Sequence, residues 1–497
     1  MPTAARTDNV FPGARISPSD PRYPAMVLGF NPRWVGTPKY VQLCGDTAQV
    51  VAAVQQALDE GLRITVRGGG HCYENFVSGN EGGVIIDLSP MNGVYREAGP
   101  PELYCVEGGA TLWNVYSELY RMYGVTIPGG SCYSVGVGGH VTGGGYGLLS
   151  RKHGLTVDHL HAVEVVCVDA SGHAYAITVS RDGDSDEQQL LWAHLGGGGG
   201  NFGIVTRFFF AEPPQAPSIA YVWNLAWPWS QIDQPLFTAM IENYGQCLKA
   251  NSDVGSVYSG LFTVLHLPQK ASESSQVVLT MQYTGDQPSL LQDFYHSVAS
   301  SMPKATAQLA PVGYHHPPGW SAEVQELTWL WATQQLNGET PKYMGKYKSA
   351  YMIEPFPGDQ IEVMWKYLTK PECPNPRSLL QIDSYGCQVN AVAPDATAVP
   401  QRSSIMKLQF QAYWREPSED ASNLVWIREF YKEMYGPNGP TPGPVMDGCY
   451  VNYPDVDLHN WQYLYYKENY PALQAAKKRW DPNNVFNYSQ SIELPRE

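Results

Sequence analysis

The run GGSCYSVGVGGHVTGGGYG, residues 129–147, decides how this chain is read. Glycine at that density weakens any helix or strand interior. It lets backbone N–H groups approach a ligand closely and adopt positive φ. Two more loops share the character: RGGGH at 67–71 and GGGGGNFG at 196–203, with EGGA at 107–110 between them. A single such loop is an ordinary turn. Several within one module predict a cradle for a phosphate-rich cofactor.

Outward from the loops the pattern is α+β. DTAQVVAAVQQALDE (46–60) reads as a helix, with Val50, Val51, Val54 and Leu58 on one face, Asp46 or Thr47 as cap and Gly61 as stop. LRITV (62–66), VIIDL (84–88) and LYCVE (103–107) read as short strands, and 111–122 as a helix burying Leu112, Val115, Tyr116 and Leu119. Gly198, Gly200 and Gly203 match G-x-G-x-x-G, but that fingerprint must open a helix. The next residues are IVTRFFF, a strand pattern, so a nicotinamide-binding Rossmann domain is not expected. No G-x-x-x-x-G-K-[ST] loop is present either.

The composition changes after EPPQAP (212–217). Strand-like runs then dominate: IAYVWNLAW, VYSGLFTVLHL, VVLTMQYTG, LLQIDSYGC and IMKLQFQAYW, with helical stretches such as 234–249 and 418–435 between them. This predicts one large antiparallel sheet backed by helices. PNGPTPGP (437–444) closes the region, and a helical tail ends in DPNNVFNYSQSI. The expected division is 1–215, 216–440 and 441–497.

Bulk properties narrow the function. The 497 residues suffice for two packed domains, and the 32 Tyr and 14 Trp can line a deep pocket for rings or sugars. A net charge of −15 without a basic run argues against nucleic acid or an anionic membrane as partner. MPTAARTDNVFPGARIS contains no apolar run of signal-peptide length, and no stretch has the length of a membrane span, so a cytoplasmic location is expected. The nine cysteines are odd in number and lack zinc spacing, so most are expected as buried thiols. His159, His161, His315 and His316 have no carboxylate or cysteine spacing that would make them metal ligands, and no metal is expected.

RGGGHCYEN (67–75), GGSCYSVGVGGHVTGGGYG (129–147), GGGGGNFGIVTRF (196–208), YVNYPDVDL (450–458) and DPNNVF (481–486) together resemble the berberine-bridge-enzyme-like flavin oxidases, in order and spacing, nearly end to end. Within that family the motifs look most like those of natural-product oxidases and glycopeptide hexose oxidases. The resemblance implies the vanillyl-alcohol-oxidase fold, in which both chain ends build an FAD domain around a substrate domain. It implies FAD bonded twice, through the 8α-methyl to His71 and through C6 to Cys132. A neutral imidazole and a thiolate are nucleophiles suited to that chemistry.

The cofactor contacts it implies run through three loops and the tail. They are Arg67, Gly68, Gly69 and Gly70 before His71, with Cys72 as a small filler after it. Around Cys132 they are Gly130, Ser131, Val135, Gly136, Gly138, Gly139, His140, Gly143, Gly144, Tyr146 and Gly147. Asn201, Gly203, Ile204 and Val205 come from the third loop, and Asn452 and Tyr453 from the tail. Tyr453 is the implied base, a role open to a tyrosine if its pKa falls from ~10 toward neutrality. Tyr146 and Tyr385 are implied pocket tyrosines that bind substrate or tune Tyr453, and Asp383 could orient one of them. Tyr450 is expected to point elsewhere if its segment is extended. Val135, three residues after the bonded cysteine, is the residue that goes with oxygen reactivity.

The expectation is thus an FAD-dependent oxidase. It oxidises a hydroxyl of a sugar or of a glycosylated or polyketide natural product, with O2 giving H2O2, in antibiotic or other secondary metabolism. The rival readings are an oxidative C–C or C–N bond-forming flavoenzyme and a flavin-loaded binding protein with little turnover.

Overall fold

A computed structural model describes residues 13–99, 101–272, 275–307, 324–338, 342–370 and 377–496. Among these described residues three sheets are present. In the first, Tyr40–Leu43, Val84–Asp87 and Ile64–Arg67 run parallel, and Ala14–Ile16 adds an antiparallel edge. The parallel pair needs a crossover. The helix Thr47–Asp59 supplies it, capped by Asp46, which accepts from Gln49 N at 2.8 Å. Its face of Val50, Ala53, Val54 and Ala57 is buried. The second sheet is antiparallel, in the order Val94–Glu97, Leu103–Glu107, Ile204–Phe210, Leu160–Val168, Ala174–Ser180. The run after Gly203 is therefore a strand, as its β-branched and aromatic residues require.

The third sheet has eight strands. Seven lie in the order Thr306–Ala307, Ile219–Pro228, Gln276–Tyr283, Leu261–Pro268, Leu379–Ser384, Met406–Trp414, Met344–Met352, and Gln325–Thr328 also pairs with Ile219–Pro228. The strand Met406–Trp414 shows how the sheet is used. Met406, Leu408 and Phe410 are fully buried on the face covered by the helix Asp420–Tyr435, where Phe410 meets Phe430 at 5.0 Å. Lys407, Gln409, Gln411 and Tyr413 alternate with them and line a cavity on the other face. The strand Met344–Met352 is not expected from sequence, because MGKYKSAYM carries two lysines and a glycine in place of an apolar alternation.

The tail returns to the first two sheets. Lys477, fully buried, pairs with Asp481 at 2.6 Å and donates to the carbonyls of Asn201 (2.7 Å) and Phe486 (2.6 Å). Phe486 is buried in the same core cluster as Tyr40, Val50 and Val84. Tyr488 OH donates to Gly199 O at 3.2 Å. The chain end therefore braces the third glycine loop. No described helix is long and apolar enough to cross a membrane. Cys44, Cys105, Cys167, Cys387 and Cys449 are buried thiols.

Candidate active site

The glycine loops converge on one cavity of about 870 Å³. Its wall on one side is mostly backbone, from Gly68–Gly70, Gly136, Gly138, Gly139 and Gly198–Gly200. Two loops meet there without room for a side chain. A Cβ on Gly69 would stand 2.3 Å from Gly136 N, and one on Gly136 would stand 2.1 Å from Gly69 N. At Gly139 a Cβ would meet nothing within 4 Å, so it would project into open space. Bare backbone facing a roomy cavity fits a ligand carrying phosphates, held by N–H groups rather than by cations. Arg67 also lines the wall, but its guanidinium is tied to Asp87 at 2.8 Å through Nε.

Both expected attachment residues are on this wall. His71 presents Nε2 to Ser134 Oγ at 2.6 Å, and Phe30 stacks on its ring with centroids 4.2 Å apart. Cys132 lines the same cavity, and a Cβ on Gly338 would lie 3.4 Å from its Sγ. Cys72 lines it too, and burial pushes its thiol up to about 11, which suits an inert filler. Gly130, Ser131, Val135, His140, Gly147, Gly203, Val205 and Asn452 also face the cavity. His140 Nε2 accepts from Gly130 N at 3.1 Å, and burial holds the imidazole neutral, down to about 4.

Four of the expected cofactor residues stand behind the wall. Asn201 braces the third loop by donating to the carbonyls of Gly197 (3.0 Å) and Gly198 (3.1 Å). Ile204 is fully buried in the core. Gly143 makes room for Asn452, whose Oδ1 would be 2.0 Å from an added Cβ. Gly144 takes φ +113, open to glycine only.

Opposite the glycines, Tyr453 meets Lys407. Lys407 Nζ donates to Tyr453 OH at 2.9 Å and pairs with Asp383 at 2.7 Å. The lysine side chain is 1% exposed and lies 4.3 Å from the Tyr453 ring centroid, 4.8 Å from that of Tyr146 and 5.4 Å from that of Tyr450. Three aromatic faces and one carboxylate thus surround one buried ammonium. Burial, helped by the Asp383 charge, holds the Tyr453 phenol well above its ordinary range. The hydrogen bond from Lys407 acts the other way, because it favours the phenolate. Burial also pushes the Lys407 ammonium down, and Asp383 opposes that.

Of the two implied pocket tyrosines, the structure places Tyr146 on the cavity wall and Tyr385 behind it. Tyr146 gives its hydroxyl to Ser384 O, so it offers the site its ring rather than its OH. Tyr385 is fully buried behind it, with ring centroids 5.1 Å apart, and donates to Gln401 O at 3.2 Å. It supports Tyr146 and lies outside the cavity wall. Tyr450 does line the cavity, because residues 450–453 form a turn in which Tyr453 N donates to Tyr450 O at 2.9 Å. Its ring meets that of Tyr453 edge to face at 5.0 Å. Asp383 reaches Tyr453 through Lys407.

Sequence reading misses Lys407 and the wall beside it. Gln411 Nε2 donates to Gln381 Oε1 at 3.0 Å and to Gln409 Oε1 at 2.9 Å. Tyr413 OH donates to Gln411 Oε1 at 2.7 Å, and Gln381 Nε2 to Asp383 Oδ1 at 2.7 Å. A chain of carboxamides therefore runs along the sheet to the Asp383–Lys407–Tyr453 group. The available signal is the alternation K-x-Q-x-Q-x-Y in Met406–Trp414, which reads as a solvent face unless a cavity lies over it.

One further cluster sets the two sides in register. Lys346 bridges Glu74, three residues after His71, to Asp455 (2.6 Å), two residues after Tyr453. Lys348 pairs with the same Asp455 at 2.7 Å. Among the described residues no group of three metal-ligating side chains occurs, and His315 and His316 lie outside them.

Residues 38–176 match the FAD binding domain family, and residues 449–493 match the berberine and berberine-like family. The chain is 39% identical to the aclacinomycin-N/aclacinomycin-A oxidase of Streptomyces galilaeus, over 97% of this chain and 90% of that protein. It is 38% identical to the hexose oxidase of Chondrus crispus, over 95% of this chain and 93% of that one. A glycopeptide hexose oxidase solved in complex with teicoplanin superposes with a TM-score of 0.89 at 34% identity, covering 97% of this chain and 99% of its own.

Proposed function

Because this chain belongs to the berberine-bridge-enzyme-like family of FAD-linked oxidoreductases, we propose that it oxidises a hydroxyl group of a sugar or of a glycosylated natural product, in secondary metabolism, and passes the electrons to dioxygen. Its cofactor is FAD, and in this proposal His71 and Cys132 each carry a bond to it. The observation that carries the reading is the buried Asp383–Lys407–Tyr453 group facing the glycine-lined wall of the same cavity.

Bound FAD supplies the hydride acceptor. The chain's own residues handle the proton and the orientation. Tyr453 Oη takes the hydroxyl proton as the C–H bond gives up its hydride. A phenolate in so apolar a place is costly, and the Lys407 ammonium is the group that makes it attainable. Asp383 keeps that ammonium charged. The Tyr146, Tyr450 and Tyr453 rings around Lys407 exclude water from it. The carboxamides of Gln381, Gln409 and Gln411 offer donors and acceptors in a row, the chemistry that matches the vicinal hydroxyls of a saccharide.

Intact mass after acid precipitation tests the attachment. The polypeptide should carry the mass of one FAD. His71→Ala and Cys132→Ala should each keep flavin through the remaining bond, and the double variant should release it. A wild-type chain of bare polypeptide mass, with all flavin in the supernatant, contradicts the double attachment.

A further inference from the structure

Ser134 belongs to the loop that carries Cys132, yet its hydroxyl is spent on His71 of the other loop, 2.6 Å from Nε2. Neither partner is on a loose segment. The flanking Val135 O accepts from Leu112 N at 2.9 Å, and Tyr133 O accepts from Trp113 N at 3.2 Å. Tyr133 N donates to Asn337 Oδ1 at 3.2 Å, and the Tyr133 hydroxyl meets Thr333 Oγ1 at 2.8 Å. The two loops also touch backbone to backbone at Gly69 and Gly136. On the His71 side, the imidazole is stacked on Phe30 with the planes 20° apart. One contact therefore packs the face of the ring, and another holds it at one nitrogen.

We propose that Ser134 is the positioning residue for bond formation at His71. Its hydroxyl accepts from Nε2–H, which fixes the ring plane and leaves the attacking lone pair on the other ring nitrogen. This rests on the proposed bond at His71. Forming that bond replaces one C–H of the flavin 8α-methyl by C–N. The methyl hydrogen and the imidazole Nε2 hydrogen leave as protons to solvent, and they balance the two protons that peroxide takes up when dioxygen accepts the electrons. The two electrons of the broken C–H bond reduce the flavin ring, and dioxygen reoxidises it to give peroxide. The loop bearing one attachment residue thereby governs the chemistry of the other.

The test compares wild type, Ser134→Ala and Ser134→Thr as full chains, supplied with FAD and sampled over time. Flavin-bearing peptides containing His71 and Cys132 are quantified separately by mass. Ser134→Ala should slow appearance of the His71 bond ~10-fold while the Cys132 bond forms as in wild type, and Ser134→Thr should recover to within ~2-fold. A wild-type chain without any His71-linked peptide overturns the attachment reading itself. A wild-type chain with that peptide, matched in rate by Ser134→Ala, overturns the role of Ser134 alone. Equal loss of both bonds in Ser134→Ala also overturns it, since the claim concerns His71 only.

Discussion

The Lys407 ammonium donates to the Tyr453 hydroxyl at 2.9 Å while it pairs with Asp383 at 2.7 Å, so one buried cation joins a carboxylate of the eight-stranded sheet to a phenol of the C-terminal tail. The arrangement can stabilise a phenolate at Tyr453 without an unpaired buried charge at rest. Tyr453→Phe should lower turnover ~10²–10⁴-fold, the usual worth of a positioned acid–base group, and leave flavin content unchanged.

The pH dependence has a definite sign. In the proposed mechanism the reaction needs the Tyr453 phenolate, so activity should be present above the phenol's pKa and lost as pH falls through it. Burial moves that pKa upward, which places the limb on the alkaline side of the profile. Lys407→Met removes the opposing cation and should move the limb to still higher pH, with turnover at neutral pH reduced. A profile of kcat against pH for both proteins checks this. A limb that stays in place in Lys407→Met removes the lysine from the mechanism.

Val135 lines the cavity three residues after Cys132. If dioxygen reacts in a hollow there, one added methylene closes it, because packed sites have little slack. Val135→Ile should slow air reoxidation of the reduced flavin and spare its reduction by substrate. Stopped-flow measurement of each half-reaction separates the two. Unchanged reoxidation assigns the valine to packing alone.

The carboxamide wall predicts an effect on binding rather than on chemistry. Gln409→Leu and Gln411→Leu should each raise KM for a saccharide substrate ~10-fold, with kcat changed less, as expected when hydrogen bonds common to ground and transition states are lost. A fall in kcat at constant KM would place these residues with the proton-transfer group instead.

Away from the site, His194 is 2% exposed, its Nδ1 held to Leu190 O at 2.8 Å, and burial pushes the imidazole from 6.5 down to about 4. The folded state disfavours the imidazolium. Below pH 6.5 the unfolded chain therefore binds a proton that the folded chain refuses, and stability falls with pH until about 4. Relative to wild type, His194→Gln should flatten the dependence of unfolding free energy on pH in that window by ~1.4 kcal/mol per unit. Parallel urea titrations from pH 4.5 to 7 measure the difference.

The glycine loops, the placement of His71 and Cys132 on the cavity wall and most strands are legible in the sequence because each rests on a local rule. Positive φ calls for glycine at Gly144, β-branched residues form the strand after Gly203, and a capped amphipathic pattern gives Thr47–Asp59. Lys407 and the glutamines are not legible, because a polar strand face reads as solvent until another layer closes over it. The strand Met344–Met352 is hidden for a related reason: Lys346 and Lys348 are buried only because Glu74, Asp455 and Asp457 meet them from distant loops. Tyr450 is misplaced when its segment is taken as extended, since the chain turns there.

The most direct test of the whole account is peroxide release by the flavin-loaded protein across a panel of saccharides and glycosylated natural products, run beside Tyr453→Phe with equal flavin content. Peroxide should appear in proportion to carbonyl product with at least one hydroxylated compound, and ~10²–10⁴-fold less should come from the variant. Peroxide release that is undiminished in Tyr453→Phe, or a flavin that no compound in the panel reduces, would contradict it.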